Sequence, residues 1–242
     1  MSLASRLATA WLLAPLAVSA GAPACQVSAG AEPPRVIELY TSEGCDSCPP
    51  ADRWLSTLKG RRDVLALSFH VTYWDRLGWV DRFASPEGTA RQELMAHAAG
   101  RRSVYTPEVM VDGRDWMGWR NAGVLPAAAM QAAPSLMLSR AGEAVIAKIG
   151  ALKAGQLEAY WAVLEDDWES QVRSGENQGK TLRHDHVVRF YQPVPAWAAS
   201  AGTELRLPSL PMTANAAHPR RIVLVISDAA THRPLQAASL GC

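Results

Sequence analysis

Short apolar runs broken by turn residues dominate the first half of the chain. Val36-Ile37-Glu38-Leu39-Tyr40 reads as a buried strand, and Thr41 to Gly44 as a turn. Pro49-Pro50 then sits where a first helical turn begins, where missing N–H groups do no harm. Ala51, Leu55 and Leu58 recur at helical spacing with Asp52, Arg53 and Ser56 between them, which predicts an amphipathic helix ending near Gly60. Val64 to Val71 is a second apolar strand. Thr72 to Ser85 mixes Tyr73, Trp74, Trp79 and Phe83 with charges and glycine, and reads as an irregular connection. Pro86 to Ala99 predicts a helix with Ala90, Leu94 and Ala98 on one face. Val109-Met110-Val111 is a third strand, Asp112-Gly113 a hairpin turn and Arg114 to Trp119 the returning strand. Asn121 to Ala133 reads as a helix interrupted by Pro126.

From Pro134 onward the pattern changes to short strand candidates separated by Gly, Pro, Ser and Asn: 135–139, 144–149, 160–164, 182–191, 203–207, 222–226 and 235–240. Acidic Asp166, Asp167 and Glu169 around Trp168 read as a solvated loop. Strand, helix, strand, helix, hairpin over 31–133 predicts a compact α/β domain. The regular short strands over 134–242 predict an antiparallel β-sandwich-like domain.

The first 24 residues stand apart. Arg6 precedes a nearly uncharged apolar run from Leu7 to Ala20, and small residues follow, which is the pattern of a secretory signal peptide over 1–24. The run is short for a membrane span, which needs about 20 residues. No later stretch is long and apolar enough for a membrane span. A periplasmic or secreted protein is therefore expected, where cysteines pair. Apolar residues make up 48% of the chain, enough for a sizeable core, and the net charge of +1 shows no block of like sign. Neither a nucleic-acid surface nor an acidic partner is implied. Four cysteines allow three pairings, and the simplest joins Cys45 to Cys48 and Cys25 to Cys242.

Cys45-Asp46-Ser47-Cys48 lies between a buried strand and a helix start. Free N–H groups and the helix dipole favour a thiolate there. Cys45 is expected to be the more exposed and acidic sulfur, with Cys48 placed to resolve a mixed disulfide. Asp46 works against this by disfavouring the thiolate. Three readings of the pair stay open: thiol–disulfide exchange, a structural disulfide, or a soft-metal site such as Cu(I) on two thiolates. No cofactor is otherwise implied. Thr106-Pro107 precedes the third strand, the position where thioredoxin-like domains hold a cis proline facing their CxxC.

Several longer runs carry a resemblance: Val36 to Asp52, Ser68 to Leu77, Gly78-Trp79, Phe83 to Pro86, Thr89 to Gln92, Ser103 to Pro107, and Arg173 to Asn177 followed by Leu182, His184, Val187, Val188 and Arg189. They resemble the bacterial secreted thioredoxin-like domain-of-unknown-function family numbered twelve twenty-three. The resemblance implies a thioredoxin-like fold for 31–133 and an exported location, and it supplies no activity. By their own placement, Cys45 and Cys48 are the expected catalytic pair and Thr106, Pro107 and Trp74 the expected substrate-binding residues, with Trp74 alternatively a plug between the two domains. Protein thiols or disulfides, and a redox partner protein, are the implied partners. The non-catalytic alternative is a binding module on the same fold. The redox reading needs sulfurs that solvent can reach, close to the Thr106-Pro107 bend, whereas the module does not depend on them.

Two histidine features are weaker. His70 ends an apolar strand, where a hydrogen-bonded core histidine is expected. His184-Asp185-His186 would put two imidazoles on one face of a strand, with no third ligand apparent nearby in the sequence, so no metal is expected there.

Overall fold

The computed structural model describes residues 25–30, 32–121, 124–129, 131–153, 155–209 and 215–242. The expected leader over 1–24 lies outside them. In chain order the elements are β1 (Gln26–Ala29), β2 (Arg35–Thr41), α1 (Pro49–Ser56), β3 (Val64–His70), α2 (Pro86–Ala98), β4 (Glu108–Val111), β5 (Arg114–Asp115), β6 (Leu136–Ala141) and β7 (Ala144–Ile149). After them come β8 (Gln156–Glu165), β9 (Trp168–Gln171), β10 (Thr181–His184), β11 (Val187–Ala198), β12 (Thr203–Leu207), β13 (Arg220–Asp228) and β14 (Pro234–Leu240). Short 3-10 turns cover Thr72–Leu77 and Met117–Asn121. The protein is mixed α/β, mostly sheet with few helices.

Apolar alternation decides which face each strand shows. In β2, Val36 and Tyr40 point to one side while Ile37 and Leu39 point to the other. An eight-stranded sheet in the order β14-β13-β8-β11-β3-β2-β4-β5 runs through the molecule. β2 and β3 are parallel, joined by α1, and β4 returns antiparallel to β2. One face buries Tyr40, Phe69, Met95, Tyr160, Val223 and their neighbours beneath α2. On the other face α1, which ends at Ser56 rather than near Gly60, and the turn after it cover β2, β3 and β4, packing Leu55 and Leu58 on Ile37 and Val109. Beyond α1, a four-stranded sheet β1-β6-β7-β12 lies on β8, β13 and β14 around Trp161. Two apolar faces stack there, as in a sandwich.

Strands from both sides of residue 133 share the large sheet. The junction is short: β11 meets β3 in parallel at Val187 opposite Ser68, and the Ser68 N–H donates to the His186 carbonyl at 2.8 Å. Between β8 and β11 the chain leaves the sheet as a two-stranded hairpin, β9-β10.

Several sequence expectations change. Strand β1 and strand β9 arise where none was expected, and the run 182–191 splits at Asp185 and His186, where His186 takes a φ of 59°. The acidic stretch is only partly solvated. Asp166 is buried, accepting from the His186 N–H at 2.7 Å and from Arg221 at 3.1 Å. Asn121 ends the second 3-10 turn, and no helix forms over the described residues 124–129 and 131–133. Pro126 lacks the donor and disfavours helical geometry in the residue before it. In α2 the buried side chains are Arg91, Gln92, Met95 and Ala96, and Leu94 is exposed. That rotation follows from what the helix covers: Glu38 and Glu108 lie buried beneath it and require a cation and an amide rather than methyl groups. Among the described residues, no helix is long and apolar enough to cross a membrane.

Candidate functional site

The parallel strands β2 and β3 end side by side, and their carboxyl ends are where open α/β sheets place ligand sites. From β2 the chain turns through Ser42, Glu43 and Gly44 into the CxxC. Cys48 caps α1, with Pro49 at its first helical position. The sulfurs of Cys45 and Cys48 are joined, as are those of Cys25 and Cys242, so the simplest pairing is the one present. The Thr106–Pro107 peptide is cis. Trp74 links this bond to the CxxC. Its indole N–H donates to the Thr106 hydroxyl at 2.7 Å, while a Cβ built on Gly44 would lie 3.3 Å from the Trp74 Cβ.

Both cysteines are sealed, with 0% exposure each, which corrects the expectation of an exposed Cys45. Only Asp46 and Ser47, between them, face solvent. The seal comes from the far half of the sequence. The loop after β9 lies over the CxxC turn, and buried Asn177 donates from Nδ2 to the carbonyls of Glu43 at 2.9 Å and Cys45 at 2.8 Å. Glu176 accepts from the Asp46 N–H at 3.1 Å. Ser174 anchors the loop on the Gly78 carbonyl at 2.5 Å. Gly78 and Gly175 lie side by side there with φ of 102° and 74°, backbone conformations that residues with a side chain rarely adopt.

Removing the clamp gives a direct test of this seal. Asn177→Ala strips the donor from two carbonyls, and each unpaired buried group costs about 1–3 kcal/mol. If the loop must lift before the disulfide is attacked, reduction by dithiothreitol should accelerate at least about 10-fold, since 1.4 kcal/mol is a factor of ten. Alkylation followed by mass spectrometry reads the rate for this pair alone. An unchanged rate would mean that the loop does not control access.

Beneath the disulfide lies a buried polar layer. Glu43, at 0% exposure, accepts from the Trp79 indole at 2.8 Å and pairs with His184 Nε2 at 3.2 Å. Asp81 accepts from the Glu43 N–H at 2.8 Å, the Phe83 N–H at 2.9 Å and His70 Nδ1 at 2.6 Å. Burial works against a charge on Asp81, but His70 and these N–H donors outweigh it and hold its pKa at about 2. In Glu43, too, burial is outweighed, chiefly by the His184 hydrogen bond, and its pKa is lowered. Asp52, one turn into α1, accepts from the Thr41 hydroxyl at 3.2 Å, and burial raises its pKa against the pull of His184 and His70. His70 is thus a hydrogen-bonded core histidine. His184 and His186 do not share a face: His184 points to Glu43, whereas His186 Nδ1 faces Arg221 at 3.0 Å.

The expected site residues Cys45, Cys48, Trp74 and Thr106 therefore meet at one sheet edge, with Pro107 in the adjoining bond. Sequence reasoning gives Glu43, Asp52 and Asp81 no role, although Glu43 and Asp52 lie in the run Val36 to Asp52 that carries the resemblance. Asn177 does lie in the run 173–177 that carries the resemblance stated above, and that was the available signal.

The family model described as Protein of unknown function (DUF1223) matches residues 36–226. The chain belongs to this family. The matched range includes the CxxC, the cis proline and the capping loop of this DUF1223 protein. The crystal structure of an Agrobacterium tumefaciens protein is similar, with 28% identity, covering 85% of this chain and 93% of that one at a TM-score of 0.63. HBP35 of Porphyromonas gingivalis is 15% identical over 88% of this chain and 76% of its own, with a TM-score of 0.54, and shares the fold alone. The search of curated proteins found no match.

Proposed function

We propose that this protein is an exported thiol–disulfide protein whose thioredoxin-like unit, residues 31–133, carries Cys45–Cys48 as a shielded redox couple. The carrying observation is the combination at one sheet edge of a CxxC closing onto the start of α1, a cis Thr106–Pro107 bond and Trp74 linking the two. The order β2-α1-β3-α2-β4-β5, with β2 and β3 parallel, supports the thioredoxin-like assignment. Export is supported by the leader pattern of the sequence and by two disulfides, which persist in oxidising compartments.

In the exchange, a substrate thiolate attacks Cys45 Sγ, the Cys45–Cys48 bond breaks and Cys48 leaves as a thiolate. Cys48 then attacks the mixed disulfide to release the substrate, or a second substrate thiolate does so and leaves the pair reduced. Neither step can start with the sulfurs sealed, so lifting of residues 173–179 precedes both.

The sealed sulfurs favour a second reading, in which the bond is inert and structural. Redox titration of the full mature protein separates the two, with each pair followed by alkylation and mass spectrometry. A midpoint for Cys45–Cys48 between about −270 and −120 mV is expected for a working couple, and one below about −300 mV would establish the inert bond.

A further inference from the structure

Asp52, His70 and His184 meet in the layer under the CxxC, from α1, the end of β3 and the end of β10. One candidate ligand atom from each lies within 4.8 Å of the other two. The imidazoles of His70 and His184 are 0% and 1% exposed, and Asp52 is 6% exposed. Each of the three has one atom bonded to a protein partner and one that makes no hydrogen bond. His70 uses Nδ1 on Asp81 and leaves Nε2. His184 uses Nε2 on Glu43 and leaves Nδ1. Asp52 uses Oδ2 on Thr41 and leaves Oδ1.

In its neutral form, the one that binds a metal, each ring has its tautomer fixed by its partner. Asp81 and Glu43 are carboxylates and can only accept, so each neutral ring places its proton on the nitrogen facing its carboxylate. The other nitrogen then presents a lone pair, as Oδ1 does. A water molecule has two protons and satisfies two of three acceptors, whereas one cation satisfies all three. A carboxylate behind each imidazole is also the usual outer shell of a histidine-ligated metal.

We propose that Asp52, His70 and His184 bind one divalent first-row transition-metal ion, with zinc the first candidate. Atoms separated by no more than 4.8 Å share a centre at most about 2.8 Å from each, so inward shifts of under about 1 Å reach zinc–nitrogen and zinc–oxygen bonds of about 2.0–2.2 Å. Two imidazoles and a carboxylate are a borderline-soft set suited to zinc, iron or cobalt rather than calcium or magnesium. A tetrahedral ion would keep its fourth position for a small ligand such as water. The ion would also tie β10, the end of the capping hairpin, to the helix that follows Cys48. Neither the redox potential nor turnover of the disulfide enters this assignment.

The test uses the full mature protein with both disulfides intact, stripped with a chelator and dialysed against Zn2+ or Co2+. One tightly held ion per chain by elemental analysis is expected, with visible Co2+ bands of a nitrogen- and oxygen-ligated site. His70→Gln and His184→Gln should each weaken uptake at least about 100-fold, while a Cys45→Ser, Cys48→Ser protein should keep it. No uptake by the folded wild-type protein would overturn the proposal, as would uptake unchanged in both histidine variants. Sulfur-to-cobalt charge-transfer bands, or loss of binding with the cysteines, would move the metal to the thiolates and overturn it too. Should a histidine variant not fold, zinc-edge anomalous diffraction from wild-type crystals decides: a peak among the three side chains supports the site, and a water there refutes it.

Discussion

Replacing Arg91 with methionine is expected to lower folding stability by about 3–5 kcal/mol, the cost of stranding a buried partner charge. The partner is Glu38, in the middle of β2 and 2% exposed. Its carboxylate accepts from Tyr40 at 2.8 Å, Tyr160 at 2.6 Å and Arg91 at 3.0 Å. The Arg91 guanidinium, on α2, also lies 4.8 Å from the centre of the Tyr160 ring. Burial, with the Glu38 charge adding to it, pushes both phenols far above their usual pKa, so they stay donors. Arg91 supplies the only positive charge among these contacts, and methionine retains most of the packing while removing it. The paired change Glu38→Met, Arg91→Met should cost less than Arg91→Met alone, because no charge is left unpaired. Urea unfolding midpoints of the three proteins measure this. A single variant as stable as the wild type would show that Glu38 is protonated or hydrated in the fold.

The second large effect is expected at the ends of the chain. Cys25 and Cys242 are 217 residues apart, and their bond ties the start of β1 to the end of β14. In the chain-entropy account a loop of that length is worth about 5 kcal/mol, and measured values fall at about 2–5 kcal/mol. Cys25→Ser, Cys242→Ser should therefore lose about 3–5 kcal/mol by chemical unfolding under oxidising conditions. The same relation assigns only about 2 kcal/mol to the small ring of Cys45–Cys48. Selective reduction of the two bonds, followed by thermal unfolding, should show this order. The reverse order would mean that the CxxC ring organises the native fold and that the terminal bond is peripheral.

These two features share a physical role. Glu38, Arg91 and Tyr160 join β2, α2 and β8, which lie on both sides of residue 133. The Cys25–Cys242 bond joins the outer strands of the two stacked sheets. Both hold together segments that the chain order keeps apart.

Much of the first half was legible locally. β2, β3 and β4 follow from apolar runs, α1 and α2 from prolines placed at helix starts, and the β4–β5 hairpin from Asp112-Gly113. Each of these signals acts over a few residues, where backbone preference and burial agree. The CxxC at a helix start and the proline before β4 were legible for the same reason, and so was the simplest cysteine pairing. The faces and ends of elements were less so. Leu94 looked like a core residue by spacing, but the buried carboxylates beneath α2 drew in Arg91 and Gln92 instead.

What the sequence by itself determined is the set of local elements, the family, and the residue types gathered at the CxxC edge. Tertiary structure alone decided that both sulfurs are sealed, that Asn177 holds the seal, and that Asp52, His70 and His184 face one another. Asn177 and His184 each lie more than a hundred positions from the residues they meet there, on a hairpin that leaves the large sheet and folds back. These contacts depend on how that hairpin docks, a packing choice made by the whole molecule that no local periodicity encodes.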